Sequence, residues 1–310
     1  MRLLFFALAL ASLAAADPLP REIVPGPAVV EVQPGEGERK VWHTRFFRID
    51  SDLVLQPNEL ARLSQVADTT ALVVKSHPLP LFSPPEGKRP RIAIYSTDQA
   101  YHQAGAVPGS SGNYLARQGL VLVHGGYLAQ PPDAGRSKLG PRNDEDLVVH
   151  EIVHLCMHRL NHGLPQWLAE GTAEYFAAAH TGAGRFSFAD MEGAIRQHLR
   201  VRLSPDDPGI PLVRVADLVG LDSRSWNDFV TDLPVDERYR AYATALLLAH
   251  YQFHGGEKRI EVLRTALAAA PRNRRPMEIL APENANSTQE ALVRYWRPKG
   301  LTLEFPAQSP

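Results

Sequence analysis

The sequence predicts an α+β protein with a small N-terminal sheet and helices, a central helix pair and a helical C-terminal half. Three observations carry this expectation. Short runs of β-branched and aromatic residues, broken by turn residues, crowd the part before Gly125. Beyond Asp144, apolar residues recur instead at helical spacing. No internal repeat is present, and a small sheet with helices followed by a helical half is an α+β arrangement.

In chain order, residues 1–16 have the form of a secretory signal peptide. Arg2 gives the positive start, Leu3 to Leu13 the apolar run, and Ala14-Ala15-Ala16 the small-residue cleavage site. That run is shorter than the roughly 20 residues a membrane span needs, so export as a soluble periplasmic or extracellular protein is expected. Residues 17–40 are rich in Pro, Gly and Glu and are expected to be an extended, unpacked leader. VWHTRFFRI at 41–49 has strand character. Leu60, Leu63, Ala67, Ala71 and Val74 mark a helix over 58–74, opened by Pro57. RPRIAIYS is a further strand and DQAYHQAG a short helix. NYLARQGLVLVHG is a strand pair turning near Gln118-Gly119.

Residues 125–143 are expected to be loop. A long helix follows, capped by Asn143 or Asp144 and ended by Gly163, and a second begins at Pro165. Further helices are expected over 237–254, 256–270 and 287–296. The expected organisation is therefore a leader, a domain over 41–180 that holds the central helices, and a helical subdomain over 181–310.

Composition narrows the function. The 310 residues carry 33 Lys and Arg against 34 Asp and Glu, so no basic face is implied and nucleic acid is not an expected partner. Cys156 is the only cysteine, so no internal disulfide can form. It is expected to be core packing, since no motif context makes it a nucleophile.

The chemistry concentrates in VVHEIVHLCMH, residues 148–158. Residues four apart on a helix share a face, so His150 and His154 can point imidazole nitrogens at one zinc ion. Glu151, next to the first ligand, can reach a coordinated water without joining the metal, and take its proton as general base. The neighbours Val148, Val149, Ile152, Val153 and Leu155 are apolar, and burying such a polar trio without a task is costly. A catalytic zinc needs a third ligand and an open position. His158 lies a further turn along, and His162 further still. Position 160, where one extended zinc motif would place a histidine, holds Leu160. Glu170, in WLAEGTAEY on the following helix, remains, because the break at Gly163 and Pro165 lets that helix fold back. Glu174, one turn later, suits a carboxylate that supports a ligand histidine.

HEIVH followed by WLAEGTAEYF resembles the gluzincin clan of zinc metallopeptidases, and more closely a family of mostly uncharacterised, exported bacterial proteins with a peptidase-like core. Gly112-Asn113-Tyr114 fits the G-x-Y element typical of that family. The resemblance implies a zincin-like fold, zinc on His150, His154 and Glu170, Glu151 as general base, and a peptide or protein substrate. It also implies that a strand edges the cleft and pairs with substrate, for which Gly119 to His124 is the expected segment. The aminopeptidase branch carries a glutamate there that holds the substrate's free amine. No acidic residue occurs from 115 to 127, which favours an endopeptidase.

In that branch a later helix supplies a tyrosine to the reacting oxygen. RYRAYATALLLAHYQFHGG resembles it, with Tyr242 the expected catalytic hydroxyl and Tyr239 the competitor. The alternative function is a catalytically silent, peptidase-like binding protein with a structural zinc site.

Overall fold

A computed structural model describes residues 19–107, 110, 112–126, 141–203, 209–273 and 277–307. The expected signal peptide lies outside the described residues. The protein is mixed α/β, with eleven α-helices and a small sheet among the described residues.

Six strands form that sheet: β2 (Glu31–Glu36), β3 (Arg39–His43), β4 (Arg48–Ser51), β5 (Arg91–Tyr95), β6 (Gly112–Leu115) and β7 (Leu120–His124). Their order is β2-β3-β4-β5-β7-β6, with β4, β5 and β7 parallel and the other pairings antiparallel. A two-residue strand β1 (Glu22–Ile23) pairs instead with β9 (Arg185–Ser187), which also pairs with β8 (His180–Gly182).

The leader thus departs from expectation, because it contributes two strands. Their side chains are mostly exposed, with Val32 at 80%. Main-chain pairing holds them, which leaves no apolar pattern to read. VWHTRFFRI is two strands rather than one. Thr44 N–H donates to Phe47 O at 2.8 Å, and the carboxylate of Asp68 accepts from the Thr44 hydroxyl and the Phe46 N–H. Those bonds bend the chain between β3 and β4.

Helix α1 (Pro57–Lys75) opens with proline in its first turn, and Glu59 accepts from the Gln56 N–H at 2.7 Å. Its Leu60, Leu63, Ala67, Ala71 and Val74 are buried, as their spacing requires. Helix α2 (Asp98–Gln103) is capped by Thr97, whose hydroxyl accepts from Ala100 N–H. At the centre of the sheet, Asp50 of β4 is buried and accepts from Arg39 and Arg91. Burial opposes its charge, yet the two guanidiniums hold its carboxyl below the usual range.

The β6–β7 turn needs glycine at 119. Its φ is +58°, and a Cβ there would lie 2.9 Å from Pro85 Cγ and 3.1 Å from His158 Cε1.

Helix α3 (Pro141–Cys156) begins ahead of the expected cap and stops earlier than Gly163. The chain breaks at Met157 (φ −97°, ψ 9°) and restarts as the one-turn α4 (His158–Asn161). Ser83 holds this break, donating its N–H to Cys156 O at 2.7 Å and accepting from Arg159 N–H at 2.9 Å. α5 (Gln166–Ala179) follows, buried along nearly its whole length.

The later helices are α6 (Met191–Leu203), α7 (Val215–Leu218), α8 (Ser223–Asp232), α9 (Tyr239–His254), α10 (Glu257–Ala269) and α11 (Ala285–Trp296). A small parallel pair, β10 (Gly209–Pro211) with β11 (Thr302–Glu304), ties in the C-terminal end. The largest core cluster runs from Trp42 to Leu303 and draws on residues both before and after position 180.

Candidate metal centre

Three elements meet at the site: α3, α5 and the edge strand β6. α3 packs against both α5 and β6, and α5 packs against α9. The α5–α9 approach depends on Gly171, where a Cβ would lie 2.1 Å from Ala245 O. Glycine at 171 thus sets how near α9, which carries Tyr239 and Tyr242, comes to α5.

The structure brings His150, His154 and Glu170 together, with one ligand atom from each lying within 4.8 Å of the others. His150 Nε2 is 3.1 Å from His154 Nε2 and 3.2 Å from Glu170 Oε2, and His154 Nε2 is 3.4 Å from the same oxygen. Tetrahedral coordination at bonds of about 2.0–2.1 Å places ligand atoms about 3.3 Å apart. The observed triangle therefore has the dimensions of one face of such a tetrahedron. The donor set, two imidazoles and a carboxylate, is one that zinc accepts.

Glu174, the carboxylate expected to support a ligand histidine, lies next to His150. Glu174 Oε1 lies 2.9 Å from His150 Nδ1, though not along a well-formed hydrogen bond. Its Oε2 accepts from His198 Nε2 at 2.9 Å and from the Tyr239 hydroxyl at 2.5 Å. Gln166 Nε2 donates to Glu170 Oε1 at 2.7 Å. His150, His154, Glu170 and Glu174 are between 4% and 8% exposed.

The electrostatics match a cation site. Burial opposes charge on His150, but Glu170 and Glu174 outweigh it and push the ring up to about 10. Burial likewise opposes charge on Glu170, yet His154 and His150 hold it well below the usual carboxylate range. Glu174 is held low by His150 and His198 against the same penalty. Glu151 runs the other way: burial, aided by Glu170, raises it although both histidines pull it down. It is the one carboxylate here inclined to hold a proton.

Glu151 Oε2 accepts from the main-chain N–H of Tyr114 at 2.7 Å. Gly112 leaves room for it, since a Cβ there would meet Glu151 Cγ at 3.2 Å. Tyr114 belongs to β6, the outermost strand on this side of the sheet. The expected edge segment, Gly119 to His124, is not the edge. Its β7 is flanked by β5 and β6, and Leu120 to Val123 are buried. The apolar run marks an interior strand covered on both faces.

Of the two competing tyrosines, Tyr239 gives its hydroxyl to Glu174. Tyr242 lies beside the histidines, with its ring 6.2 Å from that of His150, and rests on Trp226 at 5.5 Å. Burial, with Glu170 nearby, raises the Tyr242 phenol. His158 stands apart from the triad, with Nδ1 at 2.7 Å from the Tyr114 hydroxyl. Cys156 is buried, and burial pushes its thiol up.

Sequence reasoning missed the contacts of Tyr114, His198 and Tyr239. His198 sits in the ordinary amphipathic helix MEGAIRQHLRVRL, with no spacing that links it to α5. For Tyr114 a signal existed in the G-x-Y element, but only pairing order reveals that it edges the sheet. No protein-family model matches this chain, nor does any curated protein or solved structure.

Proposed function

We propose that the protein is an exported zinc peptidase of gluzincin type, with a zincin-like fold, that cleaves within peptide or protein chains. The observation that carries this reading is the convergence of His150, His154 and Glu170, with Glu151 beside them on the same helix. An antiparallel edge strand lying against that helix supports the zincin-like assignment. Zinc held by the three ligands would polarise a scissile carbonyl and acidify a water.

The chain's own residues would do the rest. Glu151, whose proton affinity is raised, takes the proton of the attacking water and delivers it to the departing amine. Glu174 orients His150, and is itself fixed by His198 and Tyr239. Tyr242 is the donor proposed to meet the negative charge that forms on the carbonyl oxygen. Among the described residues no strand pairs with the other side of β6, and the main-chain groups there that Glu151 does not engage would be open to an extended substrate. From 112 to 127 no acidic residue is available to hold a free amine, which favours endopeptidase over aminopeptidase action.

Digestion of a peptide library tests the reading. Zinc-loaded protein should cut at internal bonds, and chelation or Glu151→Gln should stop it. Bound zinc without any cleavage would support the silent, peptidase-like binding protein instead.

A further inference from the structure

Tyr114 makes three separate contacts at the site, each with a different part of the residue. Its main-chain N–H donates to Glu151 Oε2 at 2.7 Å. Its ring stacks on the His154 imidazole, with centroids 5.6 Å apart and planes 19° from parallel. Its hydroxyl meets His158 Nδ1 at 2.7 Å.

The way the hydroxyl is held explains why the ring stays put. His158 follows the break at Met157 and lies one turn beyond His154. Asn161, from the same short turn, donates its Nδ2–H to His154 O at 3.0 Å. The break is thus tied to the carbonyl of His154 by Asn161, and to the edge strand by His158 and Tyr114. One end of the Tyr114 side chain is fixed by its strand and the other by that turn, so the ring cannot swing off His154 without losing a part-buried hydrogen bond. A phenol ring lying nearly parallel to an imidazole restricts rotation about χ2 of the histidine, which is the freedom that would take Nε2 away from a metal. Packing alone does not account for this arrangement. An aliphatic residue would fill the space, but would make neither the anchor nor a flat stacked face, and phenylalanine would make the face without the anchor.

We propose that Tyr114 is the positioning residue of the centre: the edge strand holds the aim of the His154 imidazole and the Glu151 carboxylate through this one side chain and its N–H. The inference rests on the metal-binding reading above and deepens it. It also links substrate binding to the site, because a peptide pairing with β6 would lie on the strand that carries this residue.

Zinc release and the visible spectrum of the cobalt(II)-substituted protein test the proposal without recourse to turnover. The full mature chain would be loaded with either metal. Zinc transfer to a chelating dye would then be timed for wild type, Tyr114→Phe, Tyr114→Leu and His158→Ala. Residues that orient a metal's histidine ligands typically contribute about 10- to 100-fold to metal affinity. Tyr114→Leu should therefore release zinc about 10-fold faster and shift the cobalt bands, while Tyr114→Phe, which keeps the flat ring, restores most of the wild-type rate. His158→Ala should match Tyr114→Phe, since each removes only the anchor. Should Tyr114→Leu fail to fold by circular dichroism, the other two carry the test, with release about threefold faster than wild type. Folded variants that release zinc at the wild-type rate, with superimposable cobalt spectra, would overturn the proposal. A wild-type protein that binds neither metal would instead overturn the metallopeptidase reading, and this inference with it.

Discussion

Two groups of histidines lie beside α5 and α9, one buried and one in which His250 is buried, His77 partly buried and His254 exposed, and they are built in opposite ways. Near the start of α9, His150 and His154 face the carboxylates of α5, and His150 is pushed up to about 10. Toward the end of α9, His250 and His254 stack at 4.3 Å, and Tyr175 meets His254 Nε2 at 3.1 Å. His77, from the end of α1, packs on Phe253 at 5.2 Å. There burial, with His254 nearby, lowers His77 to about 4 and His250 to about 3. The residue type is the same in both groups. What differs is the partner, since carboxylates favour charge on His150, whereas burial among aromatic rings disfavours it on His250.

That contrast can be broken at several points. The largest effect is expected from Glu151→Gln, which keeps the shape of the cation site but removes its base. Peptide hydrolysis should fall by about 10³-fold or more, while bound zinc stays at the wild-type level. Equal cleavage by wild type and variant would remove Glu151 from the chemistry. Tyr242→Phe should lower turnover by about 10²-fold, the usual loss for one donor to a developing oxyanion, with zinc content unchanged. A variant as fast as wild type would return Tyr242 to a packing role against Trp226.

Glu174→Gln tests the support behind His150. It removes the charge that holds the ring and leaves His198 and Tyr239 with a poorer acceptor, so zinc affinity should drop about 10- to 100-fold in a dye competition. The smallest effect concerns the neutral group. His77 and His250 bind a proton less well folded than unfolded, so stability is complete above about pH 6.5 and declines as the pH falls toward 4. His250→Phe keeps the size of the ring and abolishes its titration. The stability lost between pH 7 and pH 5 should shrink by about 2 kcal/mol, measured by urea unfolding at both values. An unchanged pH dependence would show that His250 is not buried neutral.

The contrast also marks what the sequence could convey. His150 and His154 were legible because one helix carries both at a fixed spacing, and Glu170 followed because a break returned the next helix across them. α1, α9, α10 and the β6–β7 pair were legible for the same reason, since local periodicity and turn residues specify them. The contacts of Glu174 with His198 and Tyr239 were not legible, because they join three helices whose packing is set by close approaches such as Gly171 on Ala245. The edge of the sheet is not legible from chain order, because Gly119 to His124, the strand expected there as the one before the central helix, pairs on both sides and β6 lies outside it. β1 and β2 were missed because main-chain bonding, unlike burial, leaves little trace in composition.

The most direct test of the central claim is the metal content of the purified mature protein beside that of His154→Ala. Two imidazoles and a carboxylate spaced as the face of a tetrahedron should hold one zinc ion per chain, and the loss of one imidazole should empty the site. Elemental analysis should therefore give one equivalent for wild type and essentially none for the variant. Equal zinc in both proteins would contradict the account.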